Sequence, residues 1–263
     1  VSVELIPLPP REAIRALKLR GGRLHESFAW EEVYADDHAA MFTVAKSAGH
    51  SILEDIYHAI TTALEAGETL DSFSRRLMPV LVQKGWWGEA IDVDPLTGEP
   101  VRVRLGSLQR LRTIFEVNMR VSLAAGHWAA FERTRASRPY LRYVALQDGL
   151  TRPEHLRLHN LVLPLDHAFW DIHAPPNGWN CRCSLQSLSE RDLDRLKQDG
   201  EALTFEPPAV TLQPWTNKRT GEVRQVPEGI DPGWDYNPGK AGHLETVRRL
   251  EARGGPDFSS VEN

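Results

Sequence analysis

Residues 148–183 read DGLTRPEHLRLHNLVLPLDHAFWDIHAPPNGWNCRC, and the architecture of the chain turns on how this stretch is held. It contains both cysteines, Cys181 and Cys183, and four of the ten histidines. Pro, Asn and Gly recur through it without helical or strand periodicity. Such a segment has trouble burying enough apolar surface to offset its chain entropy. A metal is one staple for it. Thiolate and imidazole are the preferred donors to tetrahedral zinc. The residues nominate Cys181, Cys183, His173 and His155 as ligands of a structural zinc, with His159 replacing His155 if residues 153–158 turn the other way. Cys-x-Cys is tighter than zinc-finger spacing, so a second reading stays open. In it the cysteines are small buried apolar groups and the histidines cap loops.

Two cysteines make no disulfide framework. A bridge across Cys-x-Cys would close a strained ring, so reduced thiols, and folding in a cytoplasm, are expected. Catalytic patterns are weak. Glu154-His155 and His159 put two histidines at i, i+4, but the glutamate does not follow the first, as a metalloprotease helix requires. Neither a phosphate-cradling Gly-rich loop nor a Gly-x-Ser-x-Gly elbow occurs. A Cys–His nucleophile pair can be drawn from Cys181 or Cys183 with His173. The chain is read as no enzyme.

Upstream, the pattern is helical. Leu53, Ile56, Ile60 and Leu64 share one helix face, and Gly67 supplies a stop. Val33, Met41 and Val44 extend the apolar side, which predicts one long helix over 30–66, bent at Gly49. Leu70, Phe73, Leu77 and Leu81 predict a second helix interrupted at Pro79. Trp86-Trp87 should anchor a turn, and 93–103 reads as a hairpin. Ser107 caps a long helix to about Ser137. Beyond it, 141–146 reads as a strand, and Ser189 and Gly200 bracket a short helix. The fold class is therefore α+β. The expected division is an N-terminal arm (1–25), a helical domain (26–138), a Cys/His-containing mixed α/β domain (139–240) and a C-terminal tail (241–263). The arm should dock on a partner rather than join the core. The chain starts at Val1 without Met, and a trimmed start is expected.

The net charge of −5 argues against a general nucleic-acid coat. A local cluster, Arg133, Arg135 and Arg138, is the candidate DNA contact, against a solvated face. No apolar run reaches the ~18 residues of a membrane helix. Trp86, Trp87, Trp179 and Trp234 read as core anchors before a base-stacking platform.

The segment Asp148…Thr151-Arg152-Pro153-Glu154-His155…His159, with Phe169 through Cys183, resembles the phage Mu protein F-like, or head-morphogenesis, family. The string Pro175-Pro176-Asn177-Gly178-Trp179-Asn180-Cys181-Arg182-Cys183 carries most of the likeness. His38…Lys46, Gly85–Gly88 and Gly229–Gly239 add to it, so the resemblance covers about 28–240. It implies a minor head protein of a tailed phage or prophage, made in the host bacterial cytoplasm and carried in the virion. It implies head morphogenesis at or near the portal vertex, the portal protein or major capsid protein as partner, and a link to phage DNA packaging or ejection. Some relatives place cysteine near position 155, the exchange that metal ligation tolerates. The same relatives carry His-Pro-Asn before Cys-Arg-Cys. This chain has Gly178 instead, so its nearest histidine is His173 and the fourth ligand stays open. Two alternatives remain: a metal-dependent hydrolase acting in head maturation, with Glu154 or Asp171 as the acid–base group, and a DNA-binding ejection protein.

Overall fold

The structure, a computed structural model, describes residues 9–47 and 49–252. In chain order the elements are α1 (Arg11–Gly21), β1 (Leu24–Ser27), a 3-10 turn (Trp30–Glu32), α2 (Asp37–Ala40), β2 (Phe42–Ala45), α3 (His50–Ala66) and α4 (Leu70–Gln83). There follow β3 (Glu89–Val93), β4 (Pro100–Arg104), α5 (Leu108–Thr134), β5 (Tyr140–Val144), α6 (Pro153–Leu156), β6 (Val162–Pro164) and α7 (Trp170–His173). The last are β7 (Ser184–Leu188), α8 (Glu190–Gln198), β8 (Leu212–Thr216), β9 (Val223–Pro227) and α9 (Pro238–Glu251). The fold is mixed α+β with small sheets.

The apolar stripe of α3 does what its spacing requires: Leu53, Ile56 and Ile60 are fully buried against Phe73, Leu77 and Leu81 of α4 and Leu111 of α5. Gly67 ends α3 in the left-handed region at φ 65°. Ser107 caps α5 by accepting from the Arg110 N–H. The 27 residues of α5 form a spine that feeds three apolar clusters: Leu111 and Ile114 in the first, Val121 in the second, Trp128 and Phe131 in the third. Past α5, β5 is the centre of an antiparallel sheet ordered β6-β5-β7, with Leu141 opposite Leu163 and Ser187.

Four expectations are corrected. Residues 30–66 are not one helix. Ala35 and Lys46 take positive φ, at 48° and 55°, and Phe42–Ala45 alternates as strand β2, parallel to β1 with Leu24 opposite Phe42. Val44 is buried as part of that alternation, while Val33 and Met41 fall at the ends of the 3-10 turn and α2. Second, α4 runs through Pro79, which lies on the exposed face, where water can take the carbonyl that the ring leaves unserved. Third, residues 11–21 are no detached arm, because Ala13 and Leu17 of α1 are 1% exposed in the main core. Fourth, residues 241–251 of the expected tail belong to α9, which packs along α5. The rest of those two segments, 1–8 and 253–263, lies outside the described residues.

Small residues make these last two packings. A Cβ on Gly126 of α5 would stand 2.9 Å from the Ala13 nitrogen. Gly239 and Gly242 of α9 are as tightly placed, 2.8 Å from the Ala124 carbonyl and the Ala125 Cβ.

Candidate metal centre

Arg152-Pro153 opens α6, with proline at the first helical position where its missing N–H costs nothing. One turn on, His155 is 3% exposed. The chain then makes β6 and α7 and returns through residues 174–183, which carry Cys181 and Cys183 to the same point. The His155 Nδ1 lies 3.7 Å from Cys181 Sγ and 3.8 Å from Cys183 Sγ. All three donor atoms fall within 4.8 Å of one another. Tetrahedral zinc places sulfur and nitrogen ligands ~3.6 Å apart, so the spacing fits that ion without rearrangement. The outward ring nitrogen of His155, Nε2, donates to the Gly229 carbonyl at 2.7 Å. That bond directs the Nδ1 lone pair at the sulfurs, the usual way a protein orients a metal-bound imidazole.

The electrostatics match. The hydrogen bond from Cys183 draws the Cys181 thiol down to about 4; burial opposes this, and His155 assists. Cys183 is pushed far up, first by that same bond and then by its burial. Burial works against a charge on His155, but the bond and attraction to Cys181 and the Gly229 carbonyl outweigh it, and its pKa is raised. A divalent cation at this point would favour the deprotonated thiols and the neutral imidazole, the forms that donate to a metal. Cys181 is 5% exposed, a setting for a ligand rather than for a nucleophile.

A polar clamp holds the loop. Arg152 forks onto both oxygens of Asp231 at 2.8 Å. Asp231 Oδ2 also accepts from the Trp179 N–H at 2.7 Å, and Asn177 gives its carbonyl to the Asp231 N–H at 3.0 Å. Gly178 is required here, since a Cβ would stand 2.3 Å from Asp231 Oδ2. Arg182 forks onto Asp148 on the other side.

The structure brings His155, Cys181 and Cys183 together and leaves out the other two nominated histidines. His173 stacks on Phe169, with ring centroids 4.1 Å apart and planes 9° apart. His159 uses Nδ1 to accept from the Ala145 N–H at 3.2 Å. Among the described residues the group therefore has three protein donors, not four. Glu154 pairs with Arg157 and Asp171 with Lys240; neither joins the cluster. The candidate DNA contacts are engaged inside the chain: Arg133 with Glu12, Arg135 with Glu132, Arg138 with Asp192. Trp179 and Trp234 are in edge-to-face contact at 5.4 Å, and Trp86 donates to the Lys46 carbonyl at 2.7 Å, so these rings are core anchors. Sequence reasoning missed the Gly229 carbonyl and Asp231. The Gly229–Gly239 string signalled only resemblance, not contact.

A mixed α+β chain that brings a Pro-Pro-Asn-Gly-Trp-Asn-Cys-Arg-Cys loop against a histidine on α6 falls into a class of phage proteins. The chain belongs to the phage Mu protein F-like family: the profile described as Phage Mu protein F like protein matches residues 54–186, a span that includes all three donors. It is 39% identical over 247 residues, 89% of its length, to protein F of Escherichia phage Mu, whose name assigns that protein to capsid assembly. It is 35% identical over 84% of its length to the Mu-like prophage FluMu F protein of Haemophilus influenzae. The chain spans about half the length of these relatives, 55% and 56%. No solved structure matches it.

Proposed function

We propose that this chain is a minor head protein of a tailed phage or prophage, acting in head morphogenesis at the portal vertex and carried in the virion in few copies. The observation that carries the reading is the 39% identity along 89% of the chain to a protein named for capsid assembly. Its partner is the portal protein or the major capsid protein. The role is structural rather than catalytic: His155 and Cys181 are buried, the loop is clamped, and Glu154 and Asp171, the groups a hydrolase reading would use, are engaged by Arg157 and Lys240.

Zinc is the proposed staple, held by His155, Cys181 and Cys183. Bound there it would supply charge neutralisation and a fixed crossing of the 148–183 and 229–234 segments. The chain's own residues do the rest: Gly229 sets the imidazole, and Arg152 and Asp231 set the loop. One observation favours a second reading, hydrolysis at a metal. Cys181 and Cys183 also line a cavity of about 230 Å³, and a centre with three protein donors and an open side is the pattern of catalytic zinc.

Quantitative mass spectrometry of purified, DNA-filled particles tests the main reading. A few copies per capsid shell are expected. Absence from both particles and procapsids would overturn it.

A further inference from the structure

A second cavity, lined in part by Trp179, lies between α1, the β1–β2 pair, α5 and the 233–236 loop. Its volume is about 160 Å³. Two arginines line it. Arg20 is 6% exposed. It gives one nitrogen to Asn118 Oδ1 at 2.6 Å, lies over the Phe42 ring, and leaves its buried Nε without a partner. Arg110 stacks on Trp86 at 4.8 Å and donates to the carbonyls of Arg104, Leu105 and Ala45. Among the described residues, no ion pair with a carboxylate is formed by either. Burial draws both guanidiniums down to about 10.

This departs from how the chain treats its other buried cations. Arg142 and Arg219, both largely covered, each meet a carboxylate. A buried charge is costly unless paired, and guanidinium cannot escape the cost by losing its proton. The remaining polar lining leaves a donor for an anion: the Ser27 and Thr43 hydroxyls hydrogen-bond to each other at 2.7 Å, so one of the two O–H groups is free to donate, and His38 stands near enough to Arg20 to feel its charge.

We propose that this cavity binds a small tetrahedral oxyanion of the phosphate or sulfate class, held by Arg20 with Arg110 supplying charge. Size and shape select it. The space is too small for a nucleotide, and Arg20 is too deep for a phosphate in a DNA backbone to reach. Several acceptor oxygens on one centre suit the Arg20 Nε and the free hydroxyl of the Ser27–Thr43 pair together. The anion would tie α1, β1 and β2 to α5 and to the loop that carries Trp234.

The test is isothermal calorimetry of the unaltered chain with inorganic phosphate, at constant ionic strength against chloride. A saturable one-to-one heat is expected, with a thermal midpoint that rises and then levels as phosphate is added. A general salting effect would keep rising. Acetate is the second probe: binding of acetate and not phosphate would overturn the tetrahedral assignment. Arg20→Met should fold, since an apolar residue of similar length removes an unpaired buried charge, and it should lose the phosphate response. Arg102→Gln, an exposed control, should keep it. Absence of saturable phosphate binding to the unaltered chain overturns the proposal however the variants behave.

Discussion

The α3–α4–α5 packing and the 148–183 loop are comparably buried but held by different means. In the first, Leu53, Ile56, Phe73 and Leu111 interlock with no exposed area, and no single polar contact is essential. In the second, Leu161, Leu163 and Trp170 also pack in an apolar cluster, but the crossing at the cysteines rests on a few directional bonds between residues distant in sequence: His155 to Gly229, Arg152 to Asp231. Dispersed apolar packing loses stability in increments when altered. A clamp of charged groups fails at one point, because each member leaves a half-buried partner behind.

The sharpest way to separate the two is the metal. Zinc at 1,000-fold excess over its Kd should add about 4 kcal/mol of stability, read by chemical denaturation. A chelator or His155→Ala should remove that gain, and hydrogen exchange should quicken in 145–183 before it does in α3. Equal loss of protection in both regions would break the comparison. Next in size, Leu53→Ala should cost about 3 kcal/mol without changing zinc affinity. A fall in zinc affinity there would show the two regions to be one cooperative unit. Asp231→Asn comes third, at about 2 kcal/mol. It should raise proteolytic cleavage near Trp179, and intact resistance there would relieve the clamp of its assigned role.

The smallest effect is a titration in the helical region. Burial, then the charge of Arg20, pushes His38 down to about 4, below the ~6.5 of an unfolded chain. The folded state thus keeps His38 neutral, and the unfolded state binds the extra proton in this window. Stability is complete above pH 6.5 and falls as pH drops toward 4. Discounted for the ring's part-exposure, the loss from pH 7 to pH 5 is about 1–2 kcal/mol in phosphate-free buffer. His38→Gln should flatten that slope, and an unchanged slope would reassign it to carboxylates.

Legibility in the sequence follows the same division. Leu53, Ile56 and Ile60 repeat at the helical period, so α3 was readable, and so were caps such as Ser107. The α1–α5 and α5–α9 contacts were not, because Ala13, Gly126 and Gly242 pack by being small and leave no apolar stripe. Of the site, Cys181, Cys183 and His155 were legible from donor chemistry alone. Excluding His173 and His159 required knowing that Phe169 and Ala145 already engage them. Asp231 lies 79 residues from Arg152, and no local pattern announces a partner at that separation.

The packing of α9 carries one more consequence, for the order in which the protein is made. Arg249 reaches back to the carbonyls of Leu19 and Ala40, 230 and 209 residues earlier. At bacterial synthesis rates α1 waits on the order of 10–50 s for that partner to leave the ribosome. For that interval the α9-facing side of α1 and α5 is uncovered, until α9 closes over it.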